Sequence, residues 1–500
     1  MNPTVRPVPS LDVDTGVAVV TAPPAEPEAL GVLVGASGPL PSVVDVDRDR
    51  LGALGFRGEP GEALALPSRG GPVVVVVGIG DGGPDTDLRA VGGAFARACG
   101  RMTRLALTLD GSSEAGEPAA VAEALVEGAL LARYHYPVLK ADAPGAPISV
   151  LQLVVDGDPS PVEEGATRGR VLAAATALAR DLANTPHNHL SASRFGDLAR
   201  ELGATAGLGV EVFDEDALVE LRMAGILAIN AGSAEPPRLI KLTYRPERPT
   251  GSLALVGKGI MYDSGGLSLK PSDAIHAQMK NDMSGAAAVL ATMLALRDLG
   301  CTTAVTGYLA CTDNMPSGTA TALGDVITYR DGTTVEMLDT DAEGRVAMAD
   351  ALILAREEGV DAIVDIATLT GSALRALGKD MSALFANDER LAHQVEAAAT
   401  ASGELVWRMP LHRPYRREID SLTADMMNCA PVGKPDAIIA SLFLAHFVGD
   451  VPWAHIDMCG PAQADTATGL QVPGCTGWGA RILAHIVLGF EAPGSSPRAR

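Results

Sequence analysis

The chain has 500 residues, of which 47% are hydrophobic and 20% are charged, so it is long enough for two or three domains. Its formal net charge of -22 disfavours nucleic acid and anionic membrane surfaces as partners. Six scattered cysteines without a CxxC pair are typical of reduced thiols in a cytoplasm. No apolar run approaches the about 20 residues of a membrane span, and the first residues lack a secretory-signal pattern. We therefore expect a soluble, cytoplasmic protein with no membrane partner.

Residues 1–160 alternate short apolar runs with amphipathic stretches. The predicted strands are GVLVGA, GPVVVVVGIG, TRLALTLD and ISVLQLVVDG, and the predicted helices are DLRAVGGAFARAC and PAAVAEALVEGALLARY. This alternation predicts an α/β domain. Turn-forming and charged residues gather in 156–169, which places the predicted domain boundary near residue 160.

A glycine pattern that is typical of dinucleotide sites begins in the second of these predicted strands, GPVVVVVGIG. Gly78, Gly80 and Gly83 satisfy G-x-G-x-x-G between a predicted strand and a predicted helix. However, Pro84 and three acids within residues 81–87 crowd the place where a pyrophosphate would bind. The pattern is therefore better interpreted as a glycine-rich strand-to-helix turn, and a nucleotide-dependent enzyme remains the alternative.

Residues 161–500 repeat the alternation of strands and helices on a larger scale. The predicted strands are RLIKLTYRP, SLALVGKGI, TAVTGYLACTD and DAIVDIATLTG, and the predicted helices include DMSGAAAVLATMLALRDLG and GRVAMADALILAREEG. The strands are apolar along their whole length, which favours a sheet covered on both faces. We therefore expect a second, larger α/β domain.

Three acids follow one another at every second position after the apolar run TTVEML: Asp339, Asp341 and Glu343. If the backbone is extended there, their carboxylates point to the same side. At about 5 Å and an effective dielectric of about 20, each like-charged pair costs roughly 3 kcal/mol. Protonation, an arginine or a divalent cation must relieve this repulsion, and we favour the cation because carboxylate oxygens are its preferred ligands.

A second segment, residues 256–290, places further ionisable groups at the predicted element ends: Lys258, Asp263, Lys270 and Asp282. Each has a simpler interpretation alone, such as a helix cap or a solvated loop cation. Together with the acid triplet they favour a metal site. The nine histidines show no ligand-like spacing and HExxH is absent, so the site is rich in oxygen. Two metal ions that activate a water for hydrolysis fit this many carboxylates.

The segments VGKGIMYDSGGLSLKPS, MKNDMSGAAAV and DTDAEGR resemble the signatures of the leucyl aminopeptidases, the dinuclear-zinc cytosol aminopeptidase family. The resemblance covers roughly residues 170–490. It implies an N-terminal macro-like domain and a C-terminal catalytic domain with a central mixed sheet flanked by helices. It also implies a homohexameric, metal-dependent aminopeptidase that releases N-terminal amino acids, with a leucine-type preference, from peptides with a free N-terminus.

Carried over residue by residue, the resemblance implies two divalent ions, Zn²⁺ or Mn²⁺. A tighter site would comprise Lys258, Asp263, Asp282 and Glu343, and a more exchangeable one Asp263, Asp341 and Glu343. Lys270 would stabilise the oxyanion, and Arg345 would hold a bicarbonate ion as general base. The substrate would contact Met279, Asp339, Ala342, Thr368, Leu369 and Gly371.

Two departures from the family pattern bear on function. Asp339 stands where the family usually has Asn, which predicts an altered or more polar preference for the first residue. Lys434, Pro435 and Asp436 stand where small residues are typical. A binding or regulatory protein that has lost its chemistry is the remaining alternative, and the presence of Lys270 and Arg345 argues against it.

Overall fold

The computed structural model describes residues 6–23, 26–68, 70–112, 114–140 and 146–492. They form two compact units, one of Val8–Ala177 with Ala464–Gly474 and the other of Leu178–Gln463 with the two terminal segments. Each unit contains a mixed β-sheet and helices, so the predicted class of two α/β domains is confirmed. The predicted boundary near residue 160 stays a prediction; in the structure a long helix begins at Ser160. Within the described ranges, no helix has the length and apolar character needed to cross a membrane.

The strands are short in the first unit and longer in the centre of the second. In chain order they are β1 (Gly16–Val20), β2 (Ala29–Val34), β3 (Ala63–Leu66), β4 (Val73–Gly78), β5 (Arg104–Thr108), β6 (Val150–Val154), β7 (Gly209–Phe213), β8 (Arg238–Tyr244), β9 (Ser252–Asp263), β10 (Ala304–Asn314), β11 (Val326–Thr328), β12 (Thr334–Glu336), β13 (Ala362–Ala367), β14 (Ser382–Ala386), β15 (Val406–Arg408), β16 (Met426–Met427), β17 (Trp453–Asp457), β18 (Gln463–Ala464) and β19 (Gly474–Cys475).

The helices separate most of these strands. They are α1 (Arg48–Ala53), α2 (Leu88–Ala98), α3 (Pro118–Ala132), α4 (Ser160–Asn184), α5 (Ala192–Ala206), α6 (Glu215–Glu220), α7 (Ala224–Asn230), α8 (Ala274–Ala277), α9 (Ser284–Ala295), α10 (Glu343–Glu357), α11 (Gly371–Leu377), α12 (Glu389–Ser402), α13 (Asp436–Val448) and α14 (Ala480–Leu488). Short 3-10 helices span Pro9–Asp12, His187–His189, Met279–Met283 and Arg413–Ile419.

The first unit is built on a six-stranded sheet in the order β1-β6-β5-β2-β4-β3, parallel except at the β3–β4 pair. The valine run of β4 is buried on both faces, as expected for an inner strand of a parallel sheet. Val75 and Val77 pack in the core that includes α2 and α3, whereas Val74 and Val76 pack with Leu51 of α1. Alternate residues of one strand thus anchor two helical layers.

The glycine-rich turn after β4 has a structural explanation. A Cβ atom at Gly78 would lie 2.1 Å from the carbonyl oxygen of Glu59, so only glycine allows the two backbones to approach this closely. This close approach accounts for the glycine at position 78, so no bound nucleotide is needed to explain it.

The second unit is built on an eight-stranded mixed sheet in the order β15-β14-β17-β13-β9-β10-β8-β7. The four central strands β17, β13, β9 and β10 are parallel to one another, and β8 pairs with β10 in the antiparallel direction. Val256 and Tyr308 of the sheet share a core with Ile353 of α10 and Phe443 of α13. The predicted central mixed sheet with flanking helices is therefore confirmed.

The four central strands bring their carboxyl ends to one edge of the sheet. They end at Asp263, Asn314, Ala367 and Asp457. Because parallel strands end together, the loops that follow them meet at this edge, which is where open α/β sheets place their sites.

Replacement of Val289 tests the packing of α9, the helix that follows Asp282. Val289 is fully buried, whereas Val219 in α6 is 60% exposed. Loss of two buried methyl groups should lower the free energy of unfolding by about 2 kcal/mol in Val289→Ala. Val219→Ala should change it by less than about 0.5 kcal/mol. Chemical denaturation measures both values, and equal effects would contradict this packing.

Candidate active site

A buried lysine links three segments at the carboxyl edge of the central sheet. Lys258 in β9 has its Nζ 2.8 Å from Oδ2 of Asp282 and 2.7 Å from Oε1 of Glu343. The same Nζ donates a hydrogen bond of 3.0 Å to the carbonyl oxygen of Thr368, which follows β13. The side chain of Lys258 is only 3% exposed. One amine therefore holds together residues that lie up to 110 positions apart in the sequence.

A second lysine completes the cluster on its more accessible side. Lys270 has its Nζ 2.6 Å from Oδ2 of Asp263 and also contacts Asp341. Carboxylate oxygens of Asp263, Asp341 and Glu343 all lie within 4.8 Å of one another. The structure thus brings together every residue that the sequence predicted as a metal ligand, with Lys270 beside them.

The electrostatics of the cluster show an excess of negative charge. Burial lowers the pKa of Lys258, but Asp282, Glu343 and Asp263 outweigh burial, so the pKa is raised. Burial, with the nearby charges of Asp263 and Glu343, raises the pKa of Asp341 to about 7. Burial also raises the pKa of Asp282 well above its ordinary value, despite the adjacent Lys258. Without further positive charge, Asp282 and Asp341 therefore favour protonation. Burial raises the pKa of Glu343, but Lys258 and Lys270 outweigh burial and lower it.

The chemistry of the donor set fits divalent cations. Four carboxylates converge on two amines, and hard cations prefer oxygen ligands. Among the described residues, Oε2 of Glu343 is buried without a hydrogen-bond partner, so this oxygen is free to accept a ligand. Lys258 would have to lose its proton to become a ligand, so metal ions and protons compete for this site.

The glycine between Glu343 and Arg345 is required by Lys258. A Cβ atom at Gly344 would lie 2.3 Å from Cε and 2.6 Å from Nζ of Lys258. Any larger residue would therefore push the amine away from the carboxylates, which gives a physical reason for the glycine in DTDAEGR.

The acid triplet does not adopt the extended backbone that its spacing predicted, and that expectation is wrong. β12 ends at Glu336, residues Thr340 and Asp341 lie in a turn, and α10 begins at Glu343. The carboxylate of Asp339 accepts a 2.9 Å hydrogen bond from the backbone N–H of Asp341. Asp339 therefore stabilises the turn, whereas the other two acids enter the cluster.

Three of the predicted substrate-binding residues follow β13, and one of them, Thr368, contacts the cluster. Thr368 is buried and its hydroxyl donates a 2.6 Å hydrogen bond to Oδ1 of Asp282. Leu369 is half-buried and donates its backbone N–H to Asp457 at 3.2 Å, and Gly371 is exposed at the start of α11.

Two further predicted residues flank the acids in the sequence. Met279 is half-buried and begins the 3-10 helix that carries Asp282. Ala342 is half-buried and caps α10 immediately before Glu343. Both therefore border the two segments that supply the buried acids.

Arg345 contacts a carboxylate of the protein itself. One guanidinium nitrogen lies 3.1 Å from Oδ1 of Asp436, and another donates a 3.3 Å hydrogen bond to the carbonyl oxygen of Asn428. The arginine side chain is 3% exposed. Asp436 is therefore the acidic partner of this arginine, whose Nε is buried without a hydrogen-bond partner among the described residues.

Sequence reasoning missed two amides that orient the site. Asn314 donates hydrogen bonds to Oδ1 of Asp263 at 2.8 Å and to the carbonyl oxygen of Thr340 at 2.9 Å. Asn428 accepts a 2.8 Å hydrogen bond from the backbone N–H of Leu338, on the loop before Asp341. Asn314 ends a central strand, so the strand-end rule would have found it; no sequence signal marks Asn428.

Comparisons with known proteins agree with this arrangement. Residues 177–484 match the family model described as cytosol aminopeptidase family, catalytic domain, and residues 51–143 match the corresponding N-terminal domain. A probable cytosol aminopeptidase of Streptomyces coelicolor is 41% identical, with 92% of this chain and 95% of the relative covered. One of Chlorobaculum tepidum is also 41% identical, with 84% and 86% covered.

Two solved structures are also similar to this chain over most of its length. The bottromycin maturation enzyme BotP in complex with Mn is 40% identical, with a TM-score of 0.84 over 92% of this chain and 98% of that one. A mutant of tomato leucine aminopeptidase is 29% identical, with a TM-score of 0.84 over 95% and 96%.

The Gly344→Ala variant tests the packing of the glycine on Lys258. The added methyl group should displace the amine and lower metal affinity about 10- to 100-fold, as other changes around metal ligands do. Gly318→Ala is the matched control, because a Cβ atom there would meet nothing within 4 Å. Calorimetric titration of metal-free protein with Mn²⁺ measures the affinity. Equal affinities of the two variants would contradict the contact.

Proposed function

Because this chain belongs to the cytosol aminopeptidase family, we propose that it is a metal-dependent exopeptidase that releases N-terminal residues of leucine type from peptides. The observation that carries the proposal is the convergence of Lys258, Asp263, Asp282, Asp341 and Glu343 at one edge of the sheet. Two divalent ions, when bound there, supply an activated water and polarise the scissile carbonyl group.

The ligands divide into a tighter and a more exchangeable set. Lys258, Asp282 and Glu343 belong to the tighter set alongside Asp263, and their side chains are at most 6% exposed. Asp341 replaces Lys258 and Asp282 in the other set and is 35% exposed. This difference in exposure supports easier exchange at the second site. Zn²⁺ or Mn²⁺ suits either set.

Lys270 is proposed to stabilise the oxyanion that forms on the scissile carbonyl. Its Nζ lies beside Asp263 and its side chain is 16% exposed, so the amine can face a substrate while the acids keep it positive. Burial lowers the pKa of Lys270, but Asp263, Glu343 and Asp341 outweigh burial and raise it. A permanently charged amine at this position favours the developing negative charge.

The remaining predicted residues are proposed to seat the peptide. Leu369 and Gly371 offer backbone groups in the loop after β13, where the hydrogen bond from Leu369 to Asp457 fixes the backbone. Met279, Ala342 and Thr368 border the first side-chain pocket, and Asp339 influences its polarity. Arg345 is proposed to hold a bicarbonate ion that acts as general base. Its Nε is buried without a hydrogen-bond partner among the described residues, which supports a further anion beside the ion pair with Asp436.

A homohexamer and a cytoplasmic location complete the proposal. The six cysteines are free thiols, which supports a reducing compartment. Light scattering of the purified protein measures the mass of the assembly against the 51.3 kDa of one chain.

Metal dependence is tested with Glu343→Gln, which removes a ligand shared by both proposed sites. The variant should bind fewer than two ions and lose several kcal/mol of transition-state stabilisation, which is at least about a 100-fold fall in kcat on a leucine anilide. Asp331→Asn is the control, since Asp331 pairs with Arg356 at 3.2 Å outside the cluster. Elemental analysis and rates measure both effects. Full metal content and activity in Glu343→Gln would reject the proposal.

The polarity of the first pocket is tested with Asp339→Asn. A half-buried carboxylate beside the pocket should favour lysine over leucine as the first residue, by up to about 1 kcal/mol or roughly fivefold. The substitution should therefore raise the ratio of kcat/KM for leucine to that for lysine anilides. Identical ratios in the variant and the parent would show that Asp339 does not influence specificity.

A further inference from the structure

We propose that a cavity in the first unit binds a free aliphatic amino acid, at a site separate from the metal cluster. The cavity has a volume of about 260 Å³. Small-molecule sites in proteins begin near this size, at about 300 Å³. All of the residues that line the cavity belong to Val8–Ala177, so the site lies within one compact unit. None of them is a predicted metal ligand or substrate-binding residue.

Helix α4 forms one wall of the cavity. Its lining residues are Arg170, Ala173, Ala174 and Ala177, which have the spacing i, i+3, i+4 and i+7 of one helix face. The side chain of alanine is a single methyl group, so this face leaves space that longer side chains would fill. The sequence of α4 therefore gives a physical reason for the cavity.

The opposite walls come from the end of α3 and from the segments that precede β1 and β6. Leu131 of α3 and Ile148 contribute apolar side chains. The hydroxyl of Thr15 donates a 2.7 Å hydrogen bond to the carbonyl oxygen of Ile148. The backbone N–H of Gly16 donates a 2.9 Å hydrogen bond to the carbonyl oxygen of Ser149. Because these bonds join the two segments, the apolar lining is fixed and suits an aliphatic side chain.

Two arginines give the cavity positive charge. Arg133 is half-buried, and its guanidinium makes three hydrogen bonds to backbone carbonyls, including those of Met102 and Ala146. A guanidinium has five N–H donors, so further donors remain for a ligand. Burial lowers the pKa of Arg133, and no carboxylate of the described residues pairs with it. Arg170 is exposed and, within the described ranges, also has no ion pair. A bound carboxylate would supply the negative charge that both arginines lack.

The charges around the cavity match those of an α-amino acid. Asp14 also lines the cavity, and it is exposed without an ion pair in the part of the chain that the structure describes. One carboxylate and two guanidinium groups thus border a mainly apolar space, although the whole chain has a formal net charge of -22. The ammonium group of an amino acid suits Asp14, its carboxylate suits the arginines, and an aliphatic side chain suits the remaining lining.

The ligand class connects this cavity with the reaction. A free amino acid of leucine type is also the product of the proposed peptidase, so occupancy of the cavity would follow the concentration of product. Only this connection rests on the proposed function. Binding itself requires neither the metal ions nor turnover.

Calorimetric titration of the metal-loaded, full-length protein with L-leucine tests the inference. 3-Methylbutylamine, which lacks the carboxylate, should bind at least about tenfold more weakly, and 4-methylpentanoate, which lacks the ammonium group, about two- to fivefold more weakly. Arg170→Gln should weaken leucine binding about two- to fivefold. Asp14→Asn should weaken leucine binding to a similar degree and leave 4-methylpentanoate unaffected. Arg101→Gln removes an exposed arginine of the same unit outside the cavity and should keep the parental affinity.

A second titration, of metal-free protein, separates the cavity from the metal cluster. The binding of leucine that responds to Arg170→Gln should persist with unchanged affinity when the metal is removed. Leucine binding that disappears with the metal, or that neither Arg170→Gln nor Asp14→Asn weakens, would overturn the inference. So would the absence of leucine binding at millimolar concentration, or equal affinities for leucine and 4-methylpentanoate. A metal-loaded protein that binds leucine in this way and hydrolyses no peptide would instead reject the proposed function alone.

Discussion

Four carboxylates gathered against two amines at the edge of a buried sheet are the constraint on which the rest of the site depends. Coulomb repulsion between the acids and the loss of their hydration both oppose this arrangement. The raised pKa values of Asp282 and Asp341 express that cost. Divalent cations would offset it, and their binding energy would then hold together loops that the chain brings from distant positions.

Hydrogen bonds from neighbouring residues hold the members of this cluster in place. The parallel central strands end at one edge, Asn314 orients Asp263, and Thr368 holds both Lys258 and Asp282. Such supporting hydrogen bonds fix the direction of ligand lone pairs and reduce the reorganisation that binding requires. Packing and backbone contacts thus hold together a site that carries excess negative charge unless cations bind.

The sequence predicted the class of fold and the members of the cluster because both depend on local patterns: apolar periodicity for the strands, and ionisable residues at their ends. The sequence did not predict the features that depend on tertiary contacts. The alternation of Asp339, Asp341 and Glu343 suggested a strand, but a turn and a helix start replace it. Asn428 accepts a hydrogen bond from the backbone N–H of Leu338, 90 residues earlier in the chain, and no local pattern reveals such a partner. The pairing of Arg345 with Asp436 was equally hidden, although the unusual Asp436 was visible.

Anomalous X-ray scattering from crystals grown with Mn²⁺ would locate the metal ions bound at this cluster. We expect two peaks at the manganese edge, both within coordinating distance of Asp263 and Glu343 and one of them beside Lys258. A map without peaks at the cluster, from protein that hydrolyses a leucine anilide, would contradict this expectation.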